Sequence, residues 1–130
     1  MSSLIRFQYG GHATFPVRYG WLPKGAARLR DEGGFVANAA TADDLGLGSK
    51  MVDSLGYWLD MTGIGAPRGS GRSAIEPSPL NDLILHYDPH FELPGTWWFL
   101  HLALARREGT VWSWFFNDCP SSEHLAQIAT

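Results

Sequence analysis

The chain has 130 residues, 45% of them hydrophobic and 18% charged, which is enough apolar mass for one compact domain. No apolar run approaches the ~20 residues that span a bilayer, and "MSSLIRFQYGG" lacks the long apolar stretch of a secretory signal, so the sequence reads as neither membrane-inserted nor exported. Cys119 is the single cysteine, which rules out an intrachain disulfide and a multi-cysteine zinc site and suits a reducing, cytoplasmic setting, and the formal net charge of −3 argues mildly against a nucleic-acid partner for the chain as a whole.

In chain order, "LIRFQYGG" alternates as a short strand over Leu4 to Tyr9 and stops at Gly10 and Gly11. Pro16, Gly20 and Pro23 punctuate a turn. A helix follows through "KGAARLRDE", closed by Gly33 and Gly34, with Leu29 facing inward between Arg28 and Arg30. Thr41 is the expected N-cap of a second, short helix, with Asp43 and Asp44 in its first turn and Gly46 and Gly48 ending it. Ser49 is the expected N-cap of a longer helix, "KMVDSLGYWLDMTG", whose Met51, Val52, Leu55, Trp58 and Leu59 recur at the spacing of one buried face.

Beyond Gly63, the segment "GIGAPRGSGRSAIEPSPL" is rich in glycine, serine and proline and carries Arg68 and Arg72. "PSPLNDLILHY" reads as a helix with Leu80, Leu83, Ile84 and Tyr87 apolar. "TWWFLHLALARRE" reads as a strongly apolar helix at the centre of the core, ended by Gly109. "VWSWFFNDC" satisfies helix and strand patterns alike. "PSSEHLAQIAT" opens a helix that has no closing signal, so residues 1–130 are expected to be one N-terminal domain of a longer protein.

The order of short helix, "GLGSK" turn, longer amphipathic helix and Gly/Arg-rich excursion is that of a winged helix-turn-helix. A helix that follows such a turn offers its first backbone N–H groups and its dipole to phosphate, and a flanking hairpin adds arginines. Ser49, Lys50, Asp53 and Ser54 would lead the recognition helix, and Arg68 and Arg72 would sit in the wing. Charge is distributed in keeping with this. Residues 1–75 hold 8 Lys/Arg against 6 Asp/Glu, whereas residues 76–130 hold 2 against 7. With one lysine in the recognition helix, phosphate positioning is favoured over base readout.

Other constellations carry less. In "GGHATFPVRYGWLPKG", His12, Arg18 and Lys24 lie on turns where they could converge on an anion. His12 is weighed as a general base but favoured as a turn residue that satisfies backbone groups, while the arginine fork of Arg18 suits phosphate. "HYDPH" sets His86, Asp88 and His90 two apart, a spacing that does not aim three side chains at one metal, and Asp88-Pro89 reads as a turn initiator. Cys119 reads as a small buried side chain rather than a nucleophile.

At "GGHATFPVRYGWLPKG", "LGLGSKMVDSLGYWLDMTGI" and "PGTWWFLHLALAR…VWSWFFN" the chain resembles a bacterial family of domains of uncharacterised function, whose genes often lie near sulfurtransferase-like DNA-modification genes. Within it the resemblance is greatest to members linked to single-stranded DNA phosphorothioation in antiphage defence. That resemblance implies DNA binding and a metal-dependent nicking activity in the full-length protein, with magnesium or manganese as cofactor there and none in this domain. It assigns no catalytic residue. The shared motif positions are His12, Arg18, Gly48, Lys50 and Trp58.

The sequence therefore predicts a mainly α-helical (α+β) domain, a winged helix-turn-helix with a short N-terminal strand and a small β wing. Its expected partner is the DNA backbone, contacted by Arg18, Lys24, Arg28, Ser49, Lys50, Arg68 and Arg72. Two alternatives stand beside it. One is a module that docks other phosphorothioation proteins through the aromatic "TWWFLH" surface. The other is the nuclease itself, with His12 and nearby acids recruiting a divalent ion.

Overall fold

The computed structural model describes residues 17–18, 20–68 and 74–118. The expected strand over Leu4 to Tyr9, the helix after residue 120, and His12, Arg72 and Cys119 lie outside the described residues. What is described is mainly helical with one small antiparallel sheet, in the order α1 (Trp21–Glu32), β1 (Phe35–Val36), α2 (Ala39–Leu45), α3 (Ser49–Met61), β2 (Gly65–Pro67), β3 (Ala74–Pro77), α4 (Pro79–Tyr87), α5 (Pro94–Ala105) and α6 (Val111–Ser113). A π-helical segment, Trp114–Asp118, follows α6.

Helix α1 starts three residues before the predicted Lys24 and buries Trp21, Leu22, Ala26 and Leu29, a stripe recurring every three to four residues. Gly33, at φ +70°, ends it in the left-handed conformation that glycine adopts without strain. Gly25 lets α1 approach α3: a Cβ there would stand 2.8 Å from a Leu59 methyl carbon.

Two predicted caps are displaced. The α2 cap is Asn38, not Thr41; its side-chain oxygen accepts from the Thr41 backbone N–H at 2.9 Å. Thr41 is the third residue of the helix and is buried, and Asp43 and Asp44 fall in its last turn rather than its first. The α3 cap is Gly48, with extended backbone, and Ser49 is the first helical residue.

Helix α3 occupies the centre of the core. Val52 and every residue from Ser54 to Met61 are buried, so its second half is enclosed on all sides. Ser54, expected to point outward, is fully buried. The sheet is ordered β1-β3-β2, with Phe35 opposite Ile75 and Gly65 opposite Pro77. Phe35 and Ile75 are buried against the α3 face at Gly56, whose Cβ would meet both side chains.

The C-terminal helices differ from expectation. In α4, Ile84 and Asn81 are buried, but Leu83 and Tyr87 face solvent. Helix α5 is not the core helix its composition suggests. It buries only Leu100, Leu104 and Ala105, and leaves Trp98, Phe99 and Leu102 more than half exposed. It is apolar all round, so no stripe tells the chain which side to bury. The ambiguous "VWSWFFND" segment is helical, as α6 and the π-helical segment, with the Thr110 hydroxyl accepting from the Ser113 N–H at 3.0 Å to start the turn.

Candidate nucleic-acid interface

The basic residues predicted to contact DNA fall into three settings. Ser49 and Lys50 open α3 and are exposed, with Asp53 one turn on. No side chain caps the start of α3, so its first-turn N–H groups have no side-chain acceptor there. That arrangement suits an anion, but the local charge is mixed, because Asp43, Asp44 and Asp53 on α2 and α3 are also exposed.

Lys24 and Arg28 form the second setting, one turn apart on the side of α1 that faces α2. Lys24 Nζ donates to the Leu45 carbonyl at 3.2 Å, holding the C-terminal end of α2 where the helix dipole favours a cation. Arg28 Nη1 is 2.9 Å from the Asp44 carboxylate, and Nη2 donates to the Thr41 hydroxyl at 3.4 Å. These two side chains brace α1 against α2. Arg28 reaches solvent only along one edge, its side chain being 19% exposed.

Arg68, at the end of β2, forms the third. It is exposed, stands 3.5 Å from Glu76 across the strand pair, and its backbone N–H donates to the Ala74 carbonyl. A polar cleft of about 310 Å³ brings Arg68 and Arg28 to one concave surface, with Asn38, Thr41 and the Gly33–Gly34 backbone completing its walls and Glu32 at its edge. Arg18 lies apart, with its guanidinium 5.8 Å from the Trp21 ring centroid. Arg72 and His12 are outside the described residues.

Asp88, the centre of the "HYDPH" motif, organises a turn. Its carboxylate accepts from the Glu92 and Leu93 N–H groups at 2.9 and 3.0 Å and from the Thr96 hydroxyl at 2.7 Å. Burial pushes the carboxyl up, but these donors, with His90 nearby, outweigh it and hold the group below the ordinary carboxylate range. Among the described residues no three His, Cys, Asp or Glu side chains are grouped so as to hold a metal ion. No helix of the described residues is long and apolar enough to cross a membrane.

Helix α5, which carries the aromatic "TWWFLH" surface of the docking alternative, is a ridge between two clefts. On one side a cleft of about 430 Å³ is lined by Pro94, Trp97, Trp98, His101 and Phe116. There His101 Nδ1 accepts from Trp112 Nε1 at 3.2 Å, and its ring meets Phe116 edge-on at 4.4 Å. On the other side a cleft of about 210 Å³ runs between α4 and α5, past Leu83, Tyr87, Leu93 and Phe99. The signal for it was present in the twelve residues of α5, which contain tryptophans and no charge.

A family model described as a protein of unknown function (DUF4007) matches residues 9–128. No curated protein matches the chain. A solved structure described as the magnesium ion-bound SspB crystal structure is similar, with a TM-score of 0.64 and 25% identity over 75% of this chain. The chain spans about a third of that structure's length, 31% of it being covered.

Proposed function

The chain belongs to the DUF4007 family of proteins of unknown function, and from that premise we propose that it is a winged helix-turn-helix unit that binds the DNA backbone within a phosphorothioate-modification system. The observation that carries this reading is the topology. Helix, strand, two helices and a strand pair, with the sheet ordered β1-β3-β2, is an order compatible with a winged helix, and the first residues of α3 and Arg68 after β2 are exposed. Likeness to SspB supports a place in the Ssp system.

On this reading Lys50 and Ser49 meet one phosphate at the N-terminus of α3, where unpaired N–H groups and the helix dipole add to the lysine charge. Arg68 meets another beside the strand pair. Arg28 lends charge to the cleft shared with Arg68 while remaining tied to Asp44. The acidic neighbour Asp53 makes the α3 start a positioning contact rather than a reader of bases. No nicking step is assigned to the described residues, among which no three His, Cys, Asp or Glu side chains are grouped as metal ligands.

A second reading is favoured by the exposed aromatic ridge of α5, which suits docking of another protein component. Paired variants separate the two. If the chain binds DNA, Lys50→Glu with Arg68→Glu abolishes duplex binding and Trp98→Glu leaves it intact; if Trp98→Glu alone disturbs function and the charge reversals do nothing, the docking reading replaces it.

A further inference from the structure

We propose that the α5 face is the docking site of a second copy of this chain, the two α5 helices lying antiparallel across a twofold axis. This does not rest on the DNA reading. Five aromatic side chains on α4, α5 and the π-helical segment (Tyr87, Trp98, Phe99, Phe115 and Phe116) are between 51% and 70% exposed; four of them line the two clefts, and the Phe115 ring meets that of Phe116 at 5.1 Å. At roughly half of the ~200 Å² that an aromatic side chain can bury, they alone present on the order of 500 Å². That lies in the upper half of the ~300–600 Å² range of the largest apolar patch on an ordinary monomer, and with Leu83, Leu93 and Leu102 added it approaches the ~800 Å² per partner of a stable interface.

Shape selects the partner. A twofold interface must be complementary to itself, so one patch has to carry both projections and recesses. Trp98, Leu102 and Phe99 form a crest along α5, and a cleft flanks it on each side. An identical face turned through the axis places its crest against these clefts. A small ligand would fill one cleft and leave the crest bare.

Charge selects the direction. Helix α5 carries no Asp, Glu, Lys or Arg, so bringing two of them together opposes no like charges. Its flanks differ: exposed Glu92 precedes the helix and exposed Arg106 follows it. Antiparallel pairing sets each Glu92 beside the other copy's Arg106 and opposes the helix dipoles favourably, whereas parallel pairing sets like beside like.

Sedimentation velocity over a micromolar to millimolar series of the intact chain tests this directly. The expected result is a concentration-dependent rise to twice the mass of one chain. Trp98→Glu, an exposed substitution whose folding is checked by circular dichroism, is expected to leave the protein monomeric. Glu92→Arg is expected to raise the dimer Kd about tenfold, and adding Arg106→Glu to restore it. A monomer at every concentration, or a dimer indifferent to Trp98→Glu, overturns the proposal. A dimer in which Glu92→Arg changes nothing overturns the antiparallel arrangement.

Discussion

Arg107 clasps Asp60 from outside the core, with Nη1 donating to the Asp60 carbonyl at 2.7 Å and Nη2 lying 3.0 Å from its carboxylate. Asp60 is at the end of α3 and its side chain is 4% exposed; Arg107 follows α5. The pair therefore ties the C-terminal helices to the central helix across 47 residues of sequence. Removing the arginine takes one charge-assisted donor from a buried carboxylate and another from its backbone carbonyl. Arg107→Ala is expected to cost about 2 kcal/mol, less than a fully buried pair because the guanidinium is 39% exposed. Urea unfolding of the variant beside wild type checks it, and an unchanged midpoint would contradict it.

The α1–α3 contact depends on the missing side chain at Gly25. A Cβ there meets the flexible end of Leu59, which can yield, whereas a Cβ at Gly65 drives into Ile75 and also stands 3.3 Å from the Glu76 carbonyl oxygen. Both alanine variants should destabilise by about 1–3 kcal/mol, with Gly65→Ala the worse of the two. Thermal melts read the order, and equal or reversed losses would show that the sheet can shift to make room.

Asp88 supplies a pH dependence with a definite sign. Its carboxyl titrates lower in the folded chain than in the unfolded one. The stability it provides is therefore complete above the unfolded value of about 4 and is lost as pH falls through the folded value. Wild-type stability should decline on acidification through that range, and Asp88→Asn should flatten the decline while lowering stability at neutral pH. Chemical denaturation at several pH values distinguishes this from a general acid effect, which the variant would share.

Much of this architecture is legible in the sequence. The α3 stripe of Val52, Leu55, Trp58 and Leu59 identifies its buried face, and Gly33 and Gly46 mark helix ends by the left-handed backbone they adopt. What escapes is whatever depends on distant partners. Arg28 looks like a surface arginine until folding brings Asp44 beside it. Ser54 lies off the α3 stripe yet is buried, because the second half of that helix is enclosed from every side. The composition of α5 is that of a core helix. Apolar residues say that a surface will be covered, but not whether by the same chain.

Charge reversal separates the candidate DNA contacts from the structural cations. Lys50→Glu and Arg68→Glu should each weaken duplex binding with little loss of stability, since both side chains are exposed and no buried partner depends on them. Arg28→Glu should instead lower stability, by placing a carboxylate beside Asp44. Affinity and melting temperature measured on the same three variants should sort them in this way, and a thermal loss for Lys50→Glu as large as that for Arg28→Glu would contradict it.

Fluorescence anisotropy of a short labelled duplex, titrated with the chain at a series of salt concentrations, tests the central claim most directly. Backbone binding releases counterions, so log K should fall linearly with log salt, and Lys50→Glu should make the slope shallower by about one. Absence of binding at low salt, or affinity indifferent to salt, would contradict a backbone-binding role for the domain.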